Sequence, residues 1–373
     1  MLKVGAWGIH MRCWLVATSL VMIGACAAPA HKAPAGHPPQ SAASDPAPPP
    51  PVAEKGIPLA ISLPDITTYA LIRTDSGKTP VQVISLAQAA DMLAGYDVIF
   101  LGEVHRHVGN QRAQMDLFRE LHKRAPNVSL SMEQFERDVQ GTLDDYLAGK
   151  AGEITLAEKG RTWHSYGTTY RPLVEYAKEH RLPVIAANAP ESVIRCVGRE
   201  GLGFLAKISP AARGWAAAEV HAGEGKYRDK FMGFAMGEAG HGGGKKGDAP
   251  SAQAIRGFEA QATRDDTMAE SIFLHLQKNP GRKVVHLTGA FHSDDFLGTV
   301  ERLRMRNPAL KIAVVSPTDF KTADNLTLKA SDAAGGTLVL ALRALPQLFA
   351  TADEMRAAMR GQTTTREKVD CKM

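Results

Sequence analysis

Apolar residues come along this chain in short unbroken runs, separated by longer stretches in which they recur at helical spacing. Six runs rich in Val, Ile, Leu and Ala, at 97–102, 127–133, 183–188, 283–289, 311–316 and 338–343, read as strands. Between them, Met115, Leu117, Phe118 and Leu121 mark one helical face, and Met268, Ile272, Phe273 and Leu276 mark another. A strand without polar alternation is buried on both sides, and parallel strands need long right-handed crossovers. The pattern therefore predicts an α/β fold in three layers, a mainly parallel sheet with helices on both faces. From 201 to 257 no strand-like run occurs, which predicts a helical insertion. Phe231, Met232, Phe234 and Met236 precede a glycine-rich stretch, 237–247, that holds His241, Lys245 and Lys246. These apolar residues read first as the underside of a helix on the core. The sharper reading is a lid whose apolar side chains line a flat cofactor face, with Arg228 and the lysine pair meeting anionic groups at its rim.

Two of the runs end alike, in Gly102-Glu103-Val104-His105 and Gly289-Ala290-Phe291-His292. If those strands are neighbours in a parallel sheet, both imidazoles leave at its carboxyl edge, where open α/β sheets bind ligands. A third run reaches Glu133 at its own carboxyl end. Histidines and carboxylates gathered there suit a metal or an acid–base site. Competing readings exist for most of these positions. Glu103 and Glu133 could favour the positive end of a following helix. His286 reads as a hydrogen-bonded structural residue, Asn188 as the cap of a helix starting near Pro190, and Asp265 and Asp266 as solvent-facing.

The amino terminus does not belong to this pattern. Lys3 and Arg12 precede an apolar stretch, 13–23, too short to span a bilayer and followed by small residues, the layout of a secretory signal. Met11 is an alternative start. Ile23-Gly24-Ala25-Cys26 is similar to a bacterial lipobox, which makes Cys26 the expected lipidation site; cleavage near Ala28 is the alternative. The expected organisation is a signal peptide over 1–25, a Pro/Ala-rich tether over 26–57, a domain over 58–345 and a C-terminal helix and tail over 346–373. Net charge is +5, and losing Lys3 and Arg12 with the signal lowers it to +3, no argument for nucleic acid. Of four cysteines, Cys13 lies in the signal and Cys26 is the proposed anchor. Cys196 and Cys371 could pair in an oxidising periplasm, but no disulfide framework is expected.

Six ordered blocks carry a family resemblance: Gly102-Glu103-Val104-His105, Met132-Glu133-Gln134-Phe135, Tyr170-Arg171-Pro172-Leu173, Ala186-Ala187-Asn188-Ala189-Pro190, Ala260-Gln261 with Asp266-Thr267-Met268-Ala269, and Gly289-Ala290-Phe291-His292. Together they span about 91–303, and the chain resembles the ChaN-like haem-binding lipoproteins. That resemblance implies a lipid-anchored, iron-regulated bacterial protein of haem uptake. It also implies haem bound through a tyrosine, two haems stacked face to face across a homodimer. A hard anionic oxygen stabilises ferric iron, so tyrosinate suits holding haem over activating oxygen. Tyr170 lies in a shared block and Tyr227 in the apolar insertion, with Tyr166 and Tyr176 as further candidates. Arg171 and His241 would assist in binding the cofactor, although the Gly-Lys stretch around His241 departs from the family pattern. Ala27, after Cys26, gives no inner-membrane retention signal, which favours the outer membrane. More distantly, the two G-x-x-H turns are similar to those of the TIKI and TraB metalloproteases and the erythromycin esterases. This sets out the alternative: a hydrolase in which His105, Glu133 and His292 hold Zn or Mn while Glu103 takes a proton from metal-bound water.

Overall fold

The computed structural model describes residues 56–74, 81–236 and 249–351, with 353–355, 357–358 and 371 beyond them. Cys26, the signal and nearly all of the tether lie outside the described residues, as do His241, Lys245 and Lys246. The strands are β1 (Ile57–Leu59), β2 (Tyr69–Arg73), β3 (Gln82–Ile84), β4 (Val98–Glu103), β5 (Val128–Glu136), β6 (Val184–Asn188), β7 (Lys283–Gly289), β8 (Ile312–Phe320), β9 (Leu326–Leu328) and β10 (Leu338–Arg343). Eight of them form one sheet in the order β3-β2-β10-β8-β4-β7-β5-β6, and β1 pairs with β9 apart from it. Pairing is parallel from β10 through β8, β4, β7 and β5 to β6. Within this sheet the β3-β2-β10 edge is antiparallel, as is the separate β1–β9 pair.

Side chains alternate across β4, which is why an unbroken apolar run was needed. Ile99 and Leu101 pack with Leu117, Phe118 and Leu121 of the helix Val108–Arg124 on one face. Val98 and Phe100 pack with Met268, Ala269 and Ile272 of the helix Ala252–Lys278 on the other. Two apolar helix stripes thus cover a sheet with no wet face, the three-layer α/β architecture that the alternation of segments predicts.

All six expected strands are present, two of them longer than expected. The strand expected at 127–133 continues to Glu136, and the one expected at 311–316 continues through Pro317 to Phe320. β1, β2, β3 and β9 were not foreseen, being three to five residues long and partly exposed at sheet margins. Among the described residues, 201–257 holds only helix, turn and loop, including the helices Pro210–Arg213 and Lys226–Met236. Residues 353–355 and 357–358 are helical. Cys196, fully buried on the helix Glu191–Glu200, is joined to Cys371 by a disulfide, so the pairing that the sequence left open is made. No helix among the described residues is long and apolar enough to cross a membrane.

Candidate functional site

The carboxyl ends of three neighbouring strands build the site. β4 lies between β8 and β7, with Gly102 opposite Thr288 and Glu103 opposite Gly289, and β5 flanks β7 on its other side. Both G-x-x-H glycines serve close approach, and neither has a left-handed backbone. A Cβ on Gly102 would lie 2.8 Å from Pro317 Cδ and 2.9 Å from the Val315 carbonyl. A Cβ on Gly289 would lie 2.9 Å from His105 Nε2, so the missing side chain leaves room for that ring. The turn carrying His105 is held by Asn110: its Nδ2 donates to the Gly102 carbonyl (3.1 Å) and its Oδ1 accepts from the Val104 N–H (2.9 Å). β5 shifts register against β6 between Met132 and Glu136, a bulge that contains Glu133.

The two imidazoles have matching surroundings. His105 Nδ1 is 2.9 Å from Glu103 Oε1, which also accepts the Tyr170 hydroxyl at 2.6 Å. His292 Nδ1 is 2.8 Å from Asp265 Oδ1, and Asp265 Oδ2 accepts the Tyr227 hydroxyl at 2.6 Å. Thr299 donates to the same Asp265 carboxylate and Gln114 to Glu103. Between these two Tyr–carboxylate–His groups stands Glu133. Its Oε2 accepts the Gly289 N–H (2.7 Å) and the Thr288 hydroxyl (2.8 Å), while its Oε1 lies 3.6 Å from His292 Nε2. A carboxylate holding Nδ1 fixes the ring's orientation, which sets Nε2 of His105 beside Gly289 and Nε2 of His292 toward Glu133 and Gln261.

Burial opposes every charge here, and the pairing decides which charges persist. Desolvation raises the Glu133 pKa, but the imidazoles of His292 and His105 and the Gly289 N–H outweigh it and hold the carboxyl down at about 2. Burial likewise opposes the charging of His292, yet Asp265 and Glu133 push its pKa up. His105 is also pushed up, because Glu103 and Glu133 overcome desolvation. Asp265 is held low by His292 against its own burial. Tyr170 and Tyr227 go strongly upward, by burial first and then by the neighbouring carboxylates, so both phenols hold their protons.

Three expectations need correction. Asp265 and Asp266 do not face solvent: both are fully buried, Asp266 accepting from Arg302 and Arg306 and lying 2.9 Å from His221 Nδ1. Asn188 caps no helix; it is buried and donates from Nδ2 to the Glu133 carbonyl (3.1 Å). Neither Glu103 nor Glu133 sits at a helix start, since both carboxylates are taken up by the site. His286 is the structural residue expected, paired with Ser131 Oγ at 2.9 Å and pushed by burial to a pKa of about 3. Arg171 is engaged by Glu153, and Tyr176 lies with His122 and His180 away from the two histidines. Tyr166 is buried, and its hydroxyl meets no partner among the described residues. Sequence reasoning missed Asp265, Gln261, Gln114 and Trp163, whose ring lies edge-on to His105 at 5.5 Å.

With this geometry in view, the likenesses to known proteins take on meaning. A family model described as Haem-binding uptake, Tiki superfamily, ChaN matches residues 89–303, more than half of the chain. The chain belongs to this family. The matched stretch contains His105, Glu133 and His292 with the carboxylates and tyrosines that pair with them. In structure the ChaN-type chain is similar to ChaN of Campylobacter jejuni, described as showing cofacial heme binding, with a TM-score of 0.53 and 16% identity over 74% of this chain and 97% of that one. At that identity the likeness establishes a shared fold. A histidine-to-asparagine mutant of the erythromycin esterase EreC, in its open conformation, aligns over 75% of this chain and 100% of its own with a TM-score of 0.42 and 12% identity. No curated protein sequence matches the chain.

The family implies haem, and this ChaN-type edge meets that group unevenly. Both tyrosine hydroxyls are buried and committed as donors to Glu103 and Asp265, so neither oxygen stands open as a ligand. Histidine fits better, since His105 keeps 44% of its side chain exposed while His292 keeps 10%. Exposed Phe234, on the helix Lys226–Met236, meets half-buried Phe291 of the turn that bears His292, with Lys230 Nζ 5.2 Å from the Phe291 ring centre and 2.9 Å from Asp295 Oδ2. Among the described residues no group of three or more His, Cys, Asp or Glu side chains is arranged to hold a metal ion.

Proposed function

We propose that this chain binds haem at the carboxyl edge of β4, β7 and β5. The observation that carries this reading is the family match over 89–303, because the matched residues include the whole constellation around Glu133. Exposed His105 with Trp163, and the Phe234–Phe291 surface with Lys230, supply coordinating, aromatic and cationic groups of the kinds a porphyrin dicarboxylate takes up. Two clefts elsewhere, of about 340 and 290 Å3, include none of these residues in their walls. A flat ligand lying on an open edge is covered on one side only, so a second copy of the chain is the natural other wall; the complex is proposed as a homodimer. The chain would be anchored through a lipid on Cys26, in the outer membrane of a cell envelope, and serve haem uptake. The test is an absorbance titration of the full chain with ferric haem. A saturable shift of the Soret band is expected, and a purely linear sum of free-haem and protein absorbance rejects the reading.

A second reading rests on one specific observation, the carboxylate behind each imidazole. That arrangement is the one that orients metal-bound histidines. His105, Glu133 and His292 are not arranged to hold a metal ion as they stand, so in this reading they would have to close on Zn or Mn, which would supply a Lewis acid for hydrolysis. Glu103 already accepts from Tyr170 and pairs with His105, so it would position the ring before acting as a base. Elemental analysis of the purified chain tests this. Stoichiometric Zn or Mn lost in His105→Ala and His292→Ala supports it; a metal content unchanged by both substitutions ends it.

A further inference from the structure

The helix Val108–Arg124 leaves β4 at the strand-end edge and runs back to the other edge of the sheet, where the helix Arg171–Glu179 also ends before β6 begins. Each of these helix ends carries a histidine: His122 in the last turn of the first, His180 as the C-cap of the second. Half-buried His122 and exposed His180 meet edge-on, with ring centres 5.1 Å apart at 83°. One residue holds both. Tyr176 Oη lies 3.0 Å from His122 Nδ1, and the Tyr176 carbonyl lies 2.9 Å from His180 Nδ1. Tyr176 is itself fixed against Phe118 of the core (5.8 Å) and stacks on His180 at 4.1 Å. A carbonyl only accepts, so His180 carries its proton on Nδ1 and its Nε2 lone pair is free. His122 has the same arrangement when its Nδ1 donates to the phenol oxygen.

We infer that His122 and His180 form a separate site for one divalent transition-metal ion, held by both Nε2 atoms and independent of the strand-end edge. Imidazoles that ligate metals are oriented in this way, through a partner on the other ring nitrogen. Two imidazoles on one tetrahedral ion, with metal–nitrogen bonds of about 2.0–2.1 Å, place their ring centres about 5 Å apart. That is the spacing of this pair. Both rings also stand at helix C-termini, whose dipoles favour positive charge. Arg119, 5.4 Å from the Tyr176 ring centre, opposes that charge and limits the affinity. Among the described residues no third His, Cys, Asp or Glu joins the pair to hold a metal, so water completes the shell. Two neutral imidazoles select Cu2+, Zn2+ or Ni2+, whereas Mg2+ and Ca2+ require oxygen ligands.

The experiment titrates the metal-free full chain with ZnCl2 by calorimetry and with CuSO4 by electron paramagnetic resonance. The wild type should show an ion with nitrogen coupling from two imidazoles, and Cu2+ should bind more tightly than Zn2+. His122→Ala and His180→Phe should each weaken that uptake by about tenfold or more, the scale on which even the outer partner of a ligand counts. His180→Phe keeps an aromatic ring on Tyr176, so its melting temperature should match that of the metal-free wild type. Adding Zn2+ should then raise the melting temperature of the wild type and leave that of His180→Phe where it was. Equal affinity and stoichiometry in all three chains overturn the inference, as does a loss confined to one of the two variants. An ion kept by both variants but lost in His105→Ala or His292→Ala would belong to the strand-end edge and overturns it as well.

Discussion

A single methyl group at position 289 would lie 2.9 Å from His105 Nε2, closer than real side chains approach, so the imidazole or the strand end would have to move. Gly289→Ala is therefore expected to cost about 1–3 kcal/mol, the usual penalty for overpacking, and to weaken haem binding at the strand-end edge. Urea denaturation alongside a binding titration measures both. The pH response of the cluster follows from its pairings. Glu133, held at about 2 against an ordinary 4.5, contributes stability that is full above 4.5 and is lost as pH falls toward 2. His292, raised above 6.5, contributes stability that is full below 6.5 and fades as pH rises through its folded value. Glu133→Gln should flatten the acid limb, read from denaturation midpoints between about pH 5 and 2.5, where a depressed carboxylate titrates; an unaltered limb would remove Glu133 from this role. At this scale the sequence was readable where a rare residue pattern repeats, as in the two G-x-x-H turns. It misled where a residue was judged by type alone. Asp265 precedes Met268, Ala269 and Ile272 by three, four and seven positions, so the stripe that buries those residues also buries it.

The helix Ala252–Lys278 carries two roles along its length: its later turns cover the sheet through Met268 and Ile272, while Gln261 and Asp265 reach the site. Asp266 ties it to the helix Thr299–Arg306 through Arg302 (3.1 Å) and Arg306 (2.8 Å). Arg302 is 3% exposed, so Asp266→Ala would leave a buried guanidinium short of its anion, at about 3–5 kcal/mol. Calorimetric melting should register that loss; a near-neutral effect would show that the pair merely decorates the interface. Among strands, those buried on both faces were legible because nothing polar interrupts them. The margins were not, since a segment such as Gln82–Ile84 has one partner strand and too few side chains to establish a period. β8 outran its expected end because Pro317 looks like a stop, yet it sits in the ladder beside Leu340.

Over the whole molecule, the Cys196–Cys371 bond joins positions 175 apart and so ties the end of the chain to the insertion's apolar cluster. Cys371→Ser should lower stability by about 2–5 kcal/mol, with reductant producing the same loss in the wild type and none in the variant. The bond also suits an oxidising compartment, in keeping with the proposed envelope location. Cys26→Ser should move the chain from the membrane fraction to the soluble one, and retention in the membrane would contradict the lipid anchor. Fold class was legible from the alternation of buried runs and amphipathic stretches. The closure of the site was only half legible, because Glu103, Glu133 and both histidines announce themselves at strand ends while their partners come from distant helices. The central claim, that haem occupies the shared carboxyl edge of β4, β7 and β5, is met most directly by a crystal structure of the full chain with haem and an iron anomalous map. The account predicts an iron peak at that edge. An iron peak in the cleft lined by Asp97, Arg282 and Lys283 at the opposite edge, or anywhere else away from these strand ends, would contradict it.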